Sequence, residues 1–173
     1  SAISLKDFLE PSQIVLLHDA ASRQTWPELQ LHQQWLADAG NHLLTLADAN
    51  YPRSLLDLPD APTCIFVKGD PAWLSHSAIA LVGSRQATPQ GLGNAEAFAA
   101  DLSRTGYTIV SGLAAGIDAA AHRGGLTGTG STVAVVGTGL DRVYPAAKRA
   151  LAHQIAQQGA LVTFGIIPDR PET

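Results

Sequence analysis

The chain has 173 residues, enough for one domain or one domain with a small appendage. Hydrophobic residues make up 46% and charged residues 15%, which supports a buried core and excludes a disordered chain. The net charge of −4 excludes a broadly basic nucleic-acid binder, and with a mean hydropathy of +0.09 and no long apolar run no membrane helix is expected.

Charge is unevenly distributed. Residues 1–75 carry four basic against nine acidic residues, a net of −5, whereas 76–173 carry seven against six, a net of +1. Any anion-binding surface therefore belongs in the second part and must be local. Cys64 is the sole cysteine, so no disulfide forms within the chain and a reducing, cytoplasmic setting is expected. Ser1–Asp7 lacks the charged start and apolar stretch of a signal peptide. The absence of methionine leads us to expect a fragment of a longer protein.

In chain order, residues 1–50 read as a small helical domain. Pro11 opens a short helix through Ile14, Leu16 and Leu17, and Pro27 opens another with Leu31, Trp35 and Leu36, stopped by Gly40-Asn41. Residues 51–76 form a Pro-rich connection marked by Pro52, Pro59, Pro62 and Pro71, with a buried strand around Thr63–Val67. From residue 77 to 173 a repeat emerges. The apolar runs Ala78–Val82, Thr108–Val110, Thr132–Val136 and Ala160–Phe164 each end at a glycine-containing loop. Apolar residues at every position, without alternation, suit strands buried on both faces. Leu92, Ala95, Phe98 and Leu102, and then Ala147, Leu151 and Ile155, recur at helical spacing between them. Strand–helix–strand repetition implies an α/β fold: a Rossmann-like parallel sheet with flanking helices. Ligands of such sheets sit beyond the carboxyl ends of the strands, so those loops are the candidate site.

The first loop, Gly83-Ser84-Arg85-Gln86-Ala87-Thr88-Pro89, offers close backbone approach, hydroxyls, free amides at a helix start and a bidentate guanidinium. The same residues also make an ordinary strand-to-helix turn with a capping Thr and a surface Arg. The second, Ser111–Asp118, is built of small residues with Gly112, Ala114 and Gly116. Asp118 could cap the helix or accept from a sugar or base. His122 follows four residues later, an ordinary hydrogen-bonded pair with Asp118 more than a metal site. The third, Gly137-Thr138-Gly139-Leu140-Asp141-Arg142, lacks the third glycine of a dinucleotide fingerprint. Lys148 and Arg149 follow Pro145, placed either to reach a phosphate or to lie in solvent. There is no Walker lysine motif, nucleophile elbow, metal-ligand spacing or paired cysteine, so no catalytic residue, metal or cofactor is expected.

Together the loops resemble the DprA/Smf family of bacterial DNA-processing proteins of natural transformation. The resemblance rests on Tyr51-Pro52 with Leu55, Ile65–Gly69, Ala80–Arg85, Val110–Asp118 with Ala120 and His122, and Gly137–Pro145 with the helix to Gly159. It covers roughly residues 43–162. It implies a Rossmann-like domain that binds single-stranded DNA, protects incoming strands and helps load RecA, acting as a dimer and not as an enzyme. It also implies that residues 1–50 are similar to a sterile alpha motif. On this resemblance the DNA and phosphate contacts would be Gly83, Ser84, Arg85, Ser111, Gly112, Ala114, Gly116, Asp118, Gly137, Gly139, Arg142 and Lys148. After Val162 the family usually continues with Ser-Glu and a basic Arg-Asn-Arg segment. Here Thr163–Pro168 follows, so a C-terminally incomplete domain with an open sheet edge is expected. The alternative is a nucleotide-binding enzyme of the same superfamily, similar to phosphoribohydrolases. Their Pro-Gly-Gly-x-Gly-Thr-x-x-Glu pattern does not occur in the chain.

Overall fold

The structure, a computed structural model, describes residues 27–140 and 149–164. Its elements are α1 (Pro27–Leu36), β1 (Asn41–Thr45), α2 (Arg53–Leu56), β2 (Cys64–Gly69), a 3-10 turn (Pro71–Ser75), β3 (Ala78–Ala80), α3 (Pro89–Arg104), β4 (Thr108–Ser111), α4 (Ile117–Gly125), β5 (Thr132–Val135), α5 (Arg149–Gln158) and β6 (Ala160–Thr163). Thr88 starts α3 by accepting the Gly91 amide on its hydroxyl, with Pro89 at the first helical position.

All six strands join one mixed sheet in the order β1-β2-β6-β5-β4-β3. Strands β3 to β6 are parallel, and β2 and β1 are added antiparallel beyond β6. The α/β architecture with flanking helices is as expected, and the four strands read from the apolar runs are its parallel part. The difference lies at 41–69. There the sequence suggested the end of a helical unit and a connection holding one buried strand near Thr63–Val67; the structure has that strand as β2, adds β1, and makes both continuous with the same sheet. Tertiary pairing decides this, because β2 needs β6 beside it. The expected helix near Pro11 lies outside the described residues.

The parallel strands are neighbours in chain order. Each right-handed crossover therefore returns on the same face. On that face Ala152 and Ile155 of α5 pack with Trp35, Phe66, Leu113, Ala134, Leu140 and Leu161, and Ala99 and Ala121 cover Ile109. Trp35 meets Phe66 edge-on, with ring centroids 5.9 Å apart. The opposite face buries Leu44, Ile65, Val67, Val133, Ala160 and Val162 beneath Tyr51, Leu55, Trp73 and Leu74. Ile65, Ile109 and Ile155 are wholly buried, each contributing about 1.5–3 kcal/mol. Helices α3 and α4 approach so closely that a Cβ on Gly124 would lie 2.1 Å from the Glu96 carbonyl oxygen.

Strand β3 departs from the expectation of burial on both faces. It is the sheet edge, Ala78 and Ala80 are exposed, and Val82 just beyond it is 71% exposed. Phe98, expected on the apolar stripe of α3, is 64% exposed. The stripe is real, but α4 and the sheet take its Ala95, Ala99, Ala100 and Ser103 side. Parallel pairing has one consequence for function. It brings the carboxyl ends of β3, β4, β5 and β6, and the loops that leave them, to one end of the sheet.

Candidate functional site

The loop after β3 is open. Gly83, Ser84 and Arg85 are all exposed, and the Ser84 hydroxyl accepts the Gln86 amide at 3.1 Å, which turns the chain toward α3. Arg85 projects from this turn as a cation on a short, internally bonded loop.

The loop after β4 is built differently. Ser111 is buried, and its hydroxyl donates to the Leu81 carbonyl at 2.6 Å, extending the contact between β4 and the chain after β3. Leu113 adopts a positive φ of 58°, unusual for a branched residue, and drops its side chain into the core beside Ala134, Leu140 and Ile155. That turn leaves Gly112 exposed above it. Gly116 precedes α4 at φ 84°, and a Cβ there would lie 2.1 Å from the Ser84 carbonyl oxygen. The Ile117 amide donates to that same oxygen at 3.1 Å. The two loops thus share a backbone contact that only glycine at 116 permits.

Asp118, in the first turn of α4, is only 6% exposed. Its Oδ1 accepts the Gly83 amide at 3.4 Å and its Oδ2 accepts the Ala114 amide at 3.3 Å. These bonds turn two of the expected contacts inward: the polar atoms of Asp118 and Ser111 face backbone groups inside the fold, and the positive end of α4 holds a carboxylate of its own chain.

His122 is wholly buried one turn further along α4. Its Nδ1 lies 2.7 Å from Thr132 Oγ1, and that hydroxyl donates its single proton to the Ile109 carbonyl at 2.6 Å. The hydroxyl can then only accept, so Nδ1 carries the proton and Nε2 is a bare acceptor without a partner among the described residues. Charging the ring would place an N–H at Nε2 where nothing accepts it. Burial therefore lowers the His122 pKa to about 4, with the Asp118 carboxylate opposing the shift.

In the third loop Gly137 is exposed with open space around it, and Gly139 is buried beside the core residue Leu140, out of reach of a ligand at the surface. Arg142 and Lys148 lie outside the described residues. Of the expected contacts, Gly83, Ser84, Arg85, Gly112 and Gly137 stand exposed at the sheet end, and Ala114 and Gly116 are half-buried between the loops. Phe164 was read as the last strand residue. It sits just past β6, 47% exposed at this same end, and the signal was its place directly after a buried run. No cluster of metal-ligating side chains occurs among the described residues.

Residues 42–172 match the family described as DNA recombination-mediator protein A. Protein Smf of Synechocystis sp. is 38% identical over 151 residues, 83% of this chain and 36% of its own length. DNA processing protein DprA of Streptococcus pneumoniae is 42% identical over 111 residues, 64% of this chain and 39% of its own length. The X-ray structure of the Streptococcus pneumoniae DprA superposes with a TM-score of 0.72 at 34% identity, covering 84% of this chain and 50% of that one. DNA processing protein A of Helicobacter pylori, whose single-stranded DNA binding mode has been described structurally, superposes with a TM-score of 0.66 at 27% identity, over 76% of this chain and 60% of that one. The chain spans less than half the length of these curated relatives.

Proposed function

The chain belongs to the DNA recombination-mediator protein A family, and we propose that it binds single-stranded DNA across the carboxyl ends of β3, β4 and β5. In this reading it acts in the cytoplasm as a non-enzymatic binding module. It protects incoming single strands in natural transformation, helps load RecA onto them, and pairs with a second copy of itself. The observation that carries the reading is the exposed Gly83-Ser84-Arg85 loop at the end where the parallel strands converge. Ser84 and Arg85 supply donors to a phosphate, and Gly112 lets a backbone lie close. Phe164, exposed just past β6 at this same end, offers a face on which a base can stack.

The reading explains how a chain of net charge −4 binds a polyanion. Arg85 on an exposed loop serves where a broadly basic surface is absent, so salt dependence should be shallow. Each phosphate neutralised on a single strand contributes a slope of roughly 0.7 in log K against log salt. Fluorescence anisotropy of a labelled oligo-dT over a salt series, beside a duplex control, tests this. Preference for the single strand with a shallow slope is expected. A folded sample that ignores oligo-dT at low salt overturns the proposal.

A further inference from the structure

We propose that Asp118 is a positioning residue: its carboxylate locks the loop after β3 to the loop after β4, and this lock holds Arg85 ready for a phosphate. The consequence for phosphate rests on the single-strand reading above; the lock itself does not.

The geometry is that of a carboxylate between two loops. One oxygen takes the Gly83 amide at 3.4 Å, and the other takes the Ala114 amide at 3.3 Å. Gly83 is 35 residues away in sequence, so this bond ties together two crossover units and is not local capping. Space is confined: a Cβ on Gly112 would lie 3.0 Å from Oδ2. The neighbouring Ile117 amide bonds the Ser84 carbonyl at 3.1 Å, so the loop is held on both sides of Gly83–Ser84, directly before Arg85. No ion pair to Asp118 occurs among the described residues. What stabilises the buried charge is the two amides and the start of α4.

The task requires two acceptors, which selects a carboxylate. Asparagine offers one oxygen, and its NH2 would face the second N–H, donor against donor. Glutamate is longer by a methylene and moves both oxygens away from the positions that meet the two amides. The lock also carries a negative charge under a site for anions, so its two effects on affinity have opposite signs. Removing the charge while keeping the shape separates them.

The experiment is Asp118→Asn in the whole chain, read by backbone-amide NMR and by oligo-dT anisotropy. The expected result is that the Gly83 and Ala114 amide protons both shift and exchange faster. Affinity then falls on the order of tenfold, the effect of losing a charge-assisted bond. The salt slope stays unchanged, because no phosphate contact is removed. A rise in affinity would mean that Asp118 acts only as a repelling charge, and would overturn the positioning role. Gly83 and Ala114 amides that both stay unmoved would overturn the lock. If the variant does not fold, the wild-type chain decides: both amides must exchange more slowly than that of Arg85, and fast exchange at either removes the lock. If the wild-type chain ignores oligo-dT, the single-strand reading fails while the amide data still judge the lock.

Discussion

The loops after β3 and β4 look alike in sequence, since each joins an apolar strand to a helix through glycine, serine and small residues. In space they do opposite things. Gly83, Ser84 and Arg85 face solvent, whereas Ser111, Leu113 and Asp118 are buried and bonded inward. One loop leaves its polar groups open to solvent, and the other is tied to it through Gly116 and Asp118. Glycine and hydroxyl content marks where a chain turns tightly. It does not distinguish a turn that meets a ligand from one that meets another turn.

That contrast can be broken at its tightest point. Gly116→Val places a branched side chain at a positive φ and a Cβ against the Ser84 carbonyl. Strain and overpacking together should destabilise by about 3–5 kcal/mol, or prevent folding. Thermal unfolding checks it, and a melting temperature within a few degrees of wild type would show that the loops are not interlocked.

Acid probes the buried side next. His122 has its pKa lowered from 6.5 to about 4, chiefly by burial. Between these values the unfolded chain binds more protons than the folded one, so stability falls as pH drops from 6.5 toward 4. The loss attributable to this ring reaches about 3 kcal/mol near pH 4. Urea unfolding at pH 7 and pH 4.5 measures it, with His122→Leu as the reference. The reference should lose less stability over the same interval, and equal slopes would remove His122 as the cause.

The exposed side should show the smallest effect on stability and a clear one on binding. Arg85→Ala removes no internal contact of its loop, so the melting temperature should stay within a degree or two. Oligo-dT affinity should fall severalfold, with the salt slope lower by roughly 0.7. A large melting drop with unchanged binding would reverse the roles assigned to the two loops.

Much of the fold was legible because its determinants are local. Unbroken apolar runs such as Thr132–Val136 mark strands between loops, and the periodic Ala95, Leu102 and Ile155 mark the helices that cover them. The carboxyl ends as the candidate place of a site followed from parallel pairing alone. The edge position of β3 and the exposure of Phe98 were not legible, since both depend on what lies beside them. Strand β1 stayed hidden for the same reason: Asn41–Thr45 becomes a strand through its pairing with Cys64–Lys68.

The sequence by itself determined the four parallel strands with the helices between them, the single cysteine, and the strand-end loops as the candidate site. Tertiary structure decided which side chains in those loops stand exposed and which are bound inward. A carboxylate at position 118 reads equally as cap, ligand or brace until the Gly83 amide, 35 residues away, is seen beside it. Hydrogen bonds between distant segments form only when the whole sheet does, and they settle whether a polar group turns outward or is bound within.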